Sequence, residues 1–188
     1  MRKLTVFNHV TLDGYFVGAN GDFSWAHSGT DDVEYSAFVE ENAKGGGQLL
    51  FGRITYELMA SYWPTAIAGQ HDPIVAERMN NMPKVVFSRT LDQASWNNTR
   101  LITSDIVPVT RKLKDEPGPG MAIFGSGSVV SHLAAAGLID EYQMVVDPVV
   151  LGTGRTMFEG VQERLILTLV GTRTFKNGKV LLSYEPAR

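Results

Sequence analysis

The sequence contains no cysteine among its 188 residues. This absence excludes disulfide bonds, thiolate catalysis, iron–sulfur clusters and zinc sites built on cysteine. The four histidines, at positions 9, 27, 71 and 132, are scattered and lack the spacing of metal ligands. No metal site is therefore expected, and a chain without cysteine suits a reducing compartment.

The sequence also lacks a strong excess of charge of either sign. Its 17 Lys and Arg residues stand against 20 Asp and Glu residues, for a formal net charge of −3. This balance gives no electrostatic reason to expect nucleic acid or an anionic membrane as a partner. No apolar run approaches the roughly 20 residues that span a bilayer, and the first residues lack the long apolar core of a signal peptide. We therefore expect a cytoplasmic protein.

What the sequence does contain is a series of short apolar segments that alternate with helical patterns. Strands are predicted at 4–12, 48–51, 84–87, 100–103, 121–124, 141–150, 165–176 and 179–185. Helices are predicted from 31 or 32 to 44, at 55–61, from 104 or 105 to 114, and at 126–136. Residues 62–83 are expected to be irregular apart from a brief helix at 74–80. In the first helix, Val33, Phe38 and Val39 are expected to face the core.

The order of these elements predicts a single α/β domain over residues 1–188. Strands alternate with helices as far as residue 136, which favours a sheet with mostly parallel strands. Strands dominate after that point, and Asn177-Gly178 is a strong hairpin signal. We therefore expect a central, mostly parallel sheet that ends in an antiparallel hairpin.

Three turns that follow predicted strands combine glycine, hydroxyl and arginine residues. They are Gly52-Arg53 with Thr55, Ser88-Arg89, and the stretch Gly125-Ser126-Gly127-Ser128. Ligands bind beyond the carboxyl ends of the strands in open α/β sheets, and helix N-termini attract phosphate. Together the turns fit a dinucleotide with a pyrophosphate and one further phosphate. The second arginine would hold that phosphate, so NADP is expected rather than NAD.

Each of these turns also has a purely structural interpretation. Residues 125–128 are compatible with a tight strand-to-helix turn in which Ser126 or Ser128 caps the helix. Arg53 has the spacing to pair with Glu57, and Ser88 and its neighbour could form an ordinary polar loop. Two glycines and two serines in four residues nevertheless indicate that something outside the chain approaches this backbone.

Five motifs in one order give the sequence a family resemblance. They are TLDGYF (11–16), LLFGRITYE (49–57), KVVFSRTL (84–91), IFGSGSVVSHLAAAGLIDEY (123–142) and PVVLGTGRTMFEG (148–160). With them the chain resembles the dihydrofolate reductase superfamily. It is most similar to stand-alone relatives of the reductase domain of the bifunctional riboflavin-biosynthesis deaminase–reductase. The resemblance implies a three-layer fold around a mostly parallel sheet, NADPH as cofactor, and a homodimer.

The resemblance also implies where the coenzyme lies. Its pyrophosphate would lie between two turns, at Gly52, Arg53 and Thr55 on one side and Gly125, Gly127 and Ser128 on the other. The turn after the strand at 84–87 would hold the adenosine 2′-phosphate through Ser88 and Arg89. Asp13 and Gly14 match the loop near the nicotinamide and the substrate.

Reduction also requires a proton donor and a substrate pocket. Asp13 is the first candidate donor and Asp32 the second, with an Asp-Gly turn and a helix N-cap as their respective structural alternatives. A carboxylate that grips a folate would be Asp31, Asp32 or Glu34, although the surrounding pattern is not that of the folate enzyme. The predicted pocket residues are Gly14, Trp25, Trp63 and Gly152, with core packing as the alternative for the tryptophans and an interstrand loop for Gly152.

The leading hypothesis is an NADPH-dependent reductase of a small heterocycle, of the 5-amino-6-(5-phosphoribosylamino)uracil reductase or dihydrofolate reductase type. The zinc site of a deaminase needs cysteines, so we expect no counterpart of the deaminase half in this sequence. A second hypothesis is a nucleotide-binding protein without turnover, and a third is a dimerisation domain without a ligand. Binding and oxidation of NADPH distinguish the three.

Overall fold

An eight-stranded sheet forms the centre of the computed structural model, which describes residues 1–27, 32–45 and 47–187. The described residues form the strands β1 (Leu4–Thr11), β2 (Tyr15–Gly18), β3 (Gln48–Gly52), β4 (Lys84–Phe87), β5 (Thr99–Ile102), β6 (Met121–Phe124), β7 (Glu141–Asp147), β8 (Gly154–Thr156), β9 (Leu167–Thr174) and β10 (Val180–Pro186). The main sheet has the order β5-β4-β3-β6-β1-β7-β10-β9. It is parallel from β5 to β7 and antiparallel at β10 and β9, while β2 and β8 form a separate antiparallel ribbon.

Helices cover both faces of this sheet. In the described residues they are α1 (Val33–Lys44), α2 (Arg53–Tyr62), α3 (Ala66–His71), α4 (Pro73–Asn81), α5 (Ile106–Asp115) and α6 (Gly127–Ala135). One face of the sheet packs on α5 and α6, and the other packs on α1, α2 and α4. The fold is therefore three-layered with a mostly parallel sheet, which confirms the predicted fold class.

Strand β1 shows how the sequence places side chains on the two faces. Leu4 and Val6 are fully buried in the same cluster as Leu133 of α6, whereas Phe7 contacts Phe38 of α1. This separation follows from the two-residue period of a strand. Since β1 pairs in parallel with β6, and β6 with β3, the carboxyl ends of these strands meet at one edge of the sheet.

The structure corrects several expectations about individual elements. Residues 62–83 contain the two helices α3 and α4 rather than one brief helix, and α4 begins at Pro73, whose fixed φ suits the first helical position. Val33 does not face the core: it is 83% exposed, and Tyr35 is buried instead. The ribbon strands β2 and β8 were missed, because segments of three or four residues are too short to show a period.

The predicted C-terminal hairpin is confirmed. Strands β9 and β10 pair antiparallel around the Asn177-Gly178 turn, where Gly178 has a φ of +85°. That backbone conformation favours glycine because it has no Cβ. Within the parts of the chain that the structure describes, no helix combines the length and the apolar character needed to cross a membrane.

A buried cation lies at the start of β4. Lys84 is 1% exposed, and its Nζ donates to the carbonyl oxygens of Asn80 at 3.2 Å and Met82 at 2.7 Å. The same ammonium lies 4.5 Å from the centroid of the Trp96 ring. Burial disfavours the charged form and lowers the pKa of Lys84 to about 8.

The depressed pKa of Lys84 makes stability depend on pH in the alkaline range. Between about pH 8 and pH 10 the unfolded chain holds a proton that the folded chain has released, so stability rises with pH. We expect the stability of the wild type relative to Lys84→Met to increase by roughly 1 kcal/mol per pH unit in this window. Urea unfolding of both proteins at several pH values measures the difference. A difference independent of pH would contradict the assigned shift.

Candidate functional site

A cleft of about 1030 Å³ lies at the edge where the parallel strands end. All three of the turns singled out in the sequence line it, through Gly52, Arg53, Thr55, Ser88, Arg89, Gly125, Ser126, Gly127 and Ser128. These residues belong to segments far apart in the chain. The sheet topology brings them together because β4, β3 and β6 are neighbours in the sheet. The three turns therefore line one cleft, which is the arrangement expected if they bind a single ligand.

Hydrogen bonds tie two of these turns directly to each other. The Gly52 N–H donates to Ser126 Oγ at 2.9 Å, and the Ser126 N–H donates to Thr55 Oγ1 at 2.9 Å. Gly52 and Ser126 are the N-cap residues of α2 and α6, so two helix N-termini open onto the same cleft. The positive ends of two helix dipoles at one place favour a negatively charged group there.

The turn glycines are required first of all by neighbours within the protein. A Cβ at Gly125 would lie 2.8 Å from the Thr55 side chain, and one at Gly127 would lie 2.9 Å from the ring of Phe16. Gly125 and Ser126 also have φ values of +56° and +60°. The inference that an external ligand explains this composition is thus incomplete, because internal packing already excludes larger residues. Ser126 occupies the N-cap position of α6, as its structural interpretation predicted, but its side chain makes no capping hydrogen bond: Ser126 Oγ donates instead to Phe124 O at 3.0 Å.

Asn8 of β1 completes this turn and was missed in the sequence. It is buried and lines the cleft. The Gly125 N–H donates to Asn8 Oδ1 at 2.5 Å, and Asn8 Nδ2 donates to Gly125 O at 3.1 Å. Asn8 occupies the inward position that follows Leu4 and Val6, so a polar residue interrupting an apolar alternation was the available signal.

The two arginines of the turns differ in what they contact. Arg53 pairs with Glu57 at 3.0 Å, as its alternative interpretation predicted, and both side chains are exposed. Arg89 is exposed at the rim of the cleft. Ser88 Oγ accepts from the N–H groups of Thr90 and Leu91 and so fixes the turn that carries Arg89. The Arg53–Glu57 contact is a surface ion pair, which contributes little to stability.

The β2–β8 ribbon forms a further wall that sequence patterns did not reveal. Phe16, Val17 and Gly18 of β2 line the cleft opposite Arg155 of β8. His132 also lines the cleft, and its Nδ1 lies 2.7 Å from Ser128 O. The cleft thus contains three arginines, and a negatively charged ligand fits this environment.

Asp13 lies outside the residues that line the cleft. Its carboxylate accepts hydrogen bonds from the Thr11 hydroxyl at 2.6 Å, the Gly152 N–H at 2.7 Å and the Leu151 N–H at 3.1 Å. The Thr11 hydroxyl, followed by the Gly152 N–H, lowers the pKa of Asp13. A carboxylate that favours its charged form in this way holds a loop well and is a poor proton donor. The contacts therefore favour the structural alternative.

Asp32 also has a structural role. It caps α1 by accepting from the Glu34 and Tyr35 N–H groups, and it accepts from the Asn177 N–H at 2.9 Å. Desolvation would raise the pKa of Asp32, but these backbone donors outweigh it and lower the pKa. Asp31, the other candidate cap, lies outside the described residues.

The four predicted substrate residues are not brought into the cleft. Gly14 is exposed in the turn after β1, and Gly152 donates its N–H to Asp13. Trp25 is buried against Phe23, and the Trp63 Nε1–H donates to Met59 Sδ at 3.1 Å. Their neighbours line the cleft instead, namely Phe23, Leu58, Met59, Thr153 and Gly154. Since none of the four lines the cleft, their role in binding a substrate stays a prediction.

The comparison with known proteins agrees with this architecture. The family model for the RibD C-terminal domain matches residues 2–181. The chain belongs to the RibD C-terminal domain family. It is 31% identical over 184 residues to YyaP of Bacillus subtilis (strain 168), itself uncharacterised, an alignment that covers 98% of this chain and 95% of the relative.

Two solved structures share the fold of this RibD C-terminal domain. The first is a diaminohydroxyphosphoribosylaminopyrimidine deaminase/5-amino-6-(5-phosphoribosylamino)uracil reductase from Thermotoga maritima, with a TM-score of 0.68 and 16% identity. The alignment covers 99% of this chain and 57% of the Thermotoga maritima chain. The second is the dihydrofolate reductase of Enterococcus faecalis complexed with NADP(H), with a TM-score of 0.65 and 15% identity. The alignment covers 99% of this chain and 97% of the Enterococcus faecalis chain. The family resemblance is confirmed, and family and fold support a reductase-type function.

The role of Asp13 as a loop anchor leads to a test. Asp13→Ala removes the acceptor of two backbone N–H groups, so we expect its melting temperature to fall by a few degrees at neutral pH. Because the folded pKa is lowered, this stabilisation is present above the unfolded pKa and is lost as the pH falls below about 4. Thermal melts of wild type and variant across this range measure the change. Equal melting temperatures at neutral pH would argue against an anchoring role.

Proposed function

We propose that this protein is an NADPH-dependent reductase that transfers a hydride to a small heterocycle. The observation that carries the proposal is the pair of helix N-termini, α2 and α6, held together at one cleft with Arg89 at its rim. Two helix dipoles suit a pyrophosphate, and a separate cation suits an additional phosphate. The residues present therefore fit NADPH.

Each wall of the cleft has a task in this proposal. The first turn of α2 beyond Gly52 and the first turn of α6 at Gly127 bind the pyrophosphate through their backbone N–H groups, since the Gly52 N–H already donates to Ser126. Ser88 positions the turn from which Arg89 binds the adenosine 2′-phosphate. The bound coenzyme supplies the hydride. Phe16 and its ribbon cover the cleft and exclude water from the reacting groups.

The substrate class rests on the relatives. The Thermotoga maritima protein is a 5-amino-6-(5-phosphoribosylamino)uracil reductase by name, and the Enterococcus faecalis protein is a dihydrofolate reductase. We therefore propose that the substrate is 5-amino-6-(5-phosphoribosylamino)uracil, dihydrofolate or a close analogue of one of them. Loss of NADPH absorbance with either compound would support turnover. Tight NADPH binding without oxidation would instead favour a nucleotide-binding protein that does not catalyse.

The 2′-phosphate assignment predicts a cofactor preference that depends on Arg89. We expect NADPH to bind more tightly than NADH, and Arg89→Ala to weaken NADPH binding about 10- to 100-fold with little effect on NADH, since a charge-assisted hydrogen bond is lost. Calorimetric titration measures both constants. Arg100→Ala is the matched control, because Arg100 is exposed on β5 and lies outside the cleft. Equal affinity of the wild type for both coenzymes would refute the assignment.

We also propose that the protein forms a homodimer through β9. This strand is the outer strand at one edge of the main sheet, and Leu169 and Val170 on it are 50% and 52% exposed. An apolar edge strand is suited to pairing with a second copy.

A charge on this edge tests the dimer. We expect Val170→Lys to convert a dimer into monomers, because a lysine on an edge strand opposes pairing. Light scattering gives the mass in solution. Ile67→Lys, which alters an exposed apolar residue of α3, is the control and should remain dimeric. A monomeric wild type, or a dimer unaffected by Val170→Lys, would exclude this interface.

A further inference from the structure

A buried polar cluster lies directly behind one wall of the cleft. It consists of His9, Tyr35, Asp147 and Lys179. The side chains of Asp147 and Lys179 are 0% and 1% exposed and form an ion pair. His9 Nδ1 lies 2.7 Å from Asp147 Oδ2, and the Tyr35 hydroxyl lies 3.0 Å from His9 Nε2. The cluster links β1, β7 and α1 with Lys179, the residue that precedes β10.

An ion pair at this depth is not explained by stability alone. Removing two charges from water costs several kcal/mol per ion, and a well-packed apolar pair is often at least as stable. A buried pair is better explained where its geometry fixes another part of the molecule. The relevant contact is made by Lys179, whose Nζ also donates to Ala26 O at 3.2 Å.

Through Ala26 the ion pair holds the aromatic wall of the cleft. Ala26 belongs to the 3₁₀ turn Ser24–His27, and Phe23 immediately before this turn lines the cleft. The Phe23 ring packs edge-on against His9, with centroids 6.3 Å apart, and against Trp25 at 5.6 Å. The Asp147–Lys179 pair thus fixes the backbone that carries Phe23, while His9 supports its ring.

The strand order indicates which part of a ligand Phe23 faces. Arg89 follows β4, and the tied turns at Gly52 and Gly125 follow β3 and β6, the next strands along the sheet. Continuing in the same direction leads to β1 and β7, where Asn8, Phe16 and Phe23 line the cleft. If the proposed function holds, the adenosine lies at the first end and the nicotinamide at the second.

We propose that Asp147 and Lys179 position Phe23 as the wall of the nicotinamide half of the cleft. They are positioning residues, since they act through Ala26 and Phe23 rather than by touching the ligand. The inference rests on the proposed function and adds to it a determinant of affinity for the reacting half of the coenzyme. A merely structural pair would not discriminate between the two halves.

A comparison of two ligands tests this discrimination without any turnover. NADPH occupies both halves of the cleft, whereas adenosine 2′,5′-bisphosphate occupies only the half near Arg89. We expect Lys179→Met to weaken NADPH binding about tenfold, the amount that one aromatic contact contributes, and to leave bisphosphate binding within about twofold. Phe23→Ala, which leaves the buried pair intact, should give the same pattern. Calorimetric titration measures all the constants.

Lys114→Met is the matched control. Lys114 is also buried, pairs with Asp140 and donates to Leu138 O at 2.8 Å, but it lies at the opposite edge of the sheet. The Lys114→Met substitution should lower the stability of the protein and change the affinity for the two ligands equally.

The outcomes separate the two proposals. Equal weakening of both ligands by Lys179→Met would overturn the positioning role. Unchanged NADPH affinity in Phe23→Ala would also overturn it, even if Lys179→Met did not fold. A wild type that binds neither ligand would refute the proposed function, and the positioning role would fall with it.

Discussion

The functional edge of the protein depends on two hydrogen bonds between turns that are 71 and 74 residues apart. Ser126 takes part in both, through its side chain to Gly52 and through its N–H to Thr55. Each bond contributes only about 1 kcal/mol to stability, but Ser126 is buried, so breaking one would leave an unpaired polar group inside. The bonds therefore fix the distance between α2 and α6, and Asn8 extends the same network to β1.

This internal network gives several of the residues that suggest a ligand a structural role as well. Gly125 and Gly127 are small because Thr55 and Phe16 fill the space beside them. Thr55 and Ser126 use their polar groups to hold the turns together. Under the proposed function, the groups left to bind the ligand are the first turn of α6, the exposed arginines and the ribbon, all of which line the cleft. The protein thus builds its binding surface from groups that its own packing orients but does not consume.

Buried lysines connect this surface to the rest of the fold. Lys114 joins α5 to Asp140, which also accepts the Leu4 N–H at 2.7 Å, and so it secures the edge where β1 and β7 begin. Lys179 performs the corresponding task where the same strands end, behind the cleft. These contacts hold the two central strands β1 and β7 at both ends.

The sequence by itself determined the mostly parallel α/β sheet with its antiparallel hairpin, and the family resemblance added the three-layer arrangement. The sequence also located the three turns that line the cleft. Hydrophobic period and turn residues act within a few neighbours, so strands such as β4 and the turn that carries Arg89 could be located without a structure. Only the tertiary structure decided which side chains reach the cleft, because that depends on contacts across the sheet. Asp13, predicted to lie near the ligand, accepts the Gly152 N–H and is outside the residues that line the cleft. Asn8 and the Asp147–Lys179 pair were not predicted, because the role of a lone polar residue in a strand depends on partners far away in the chain.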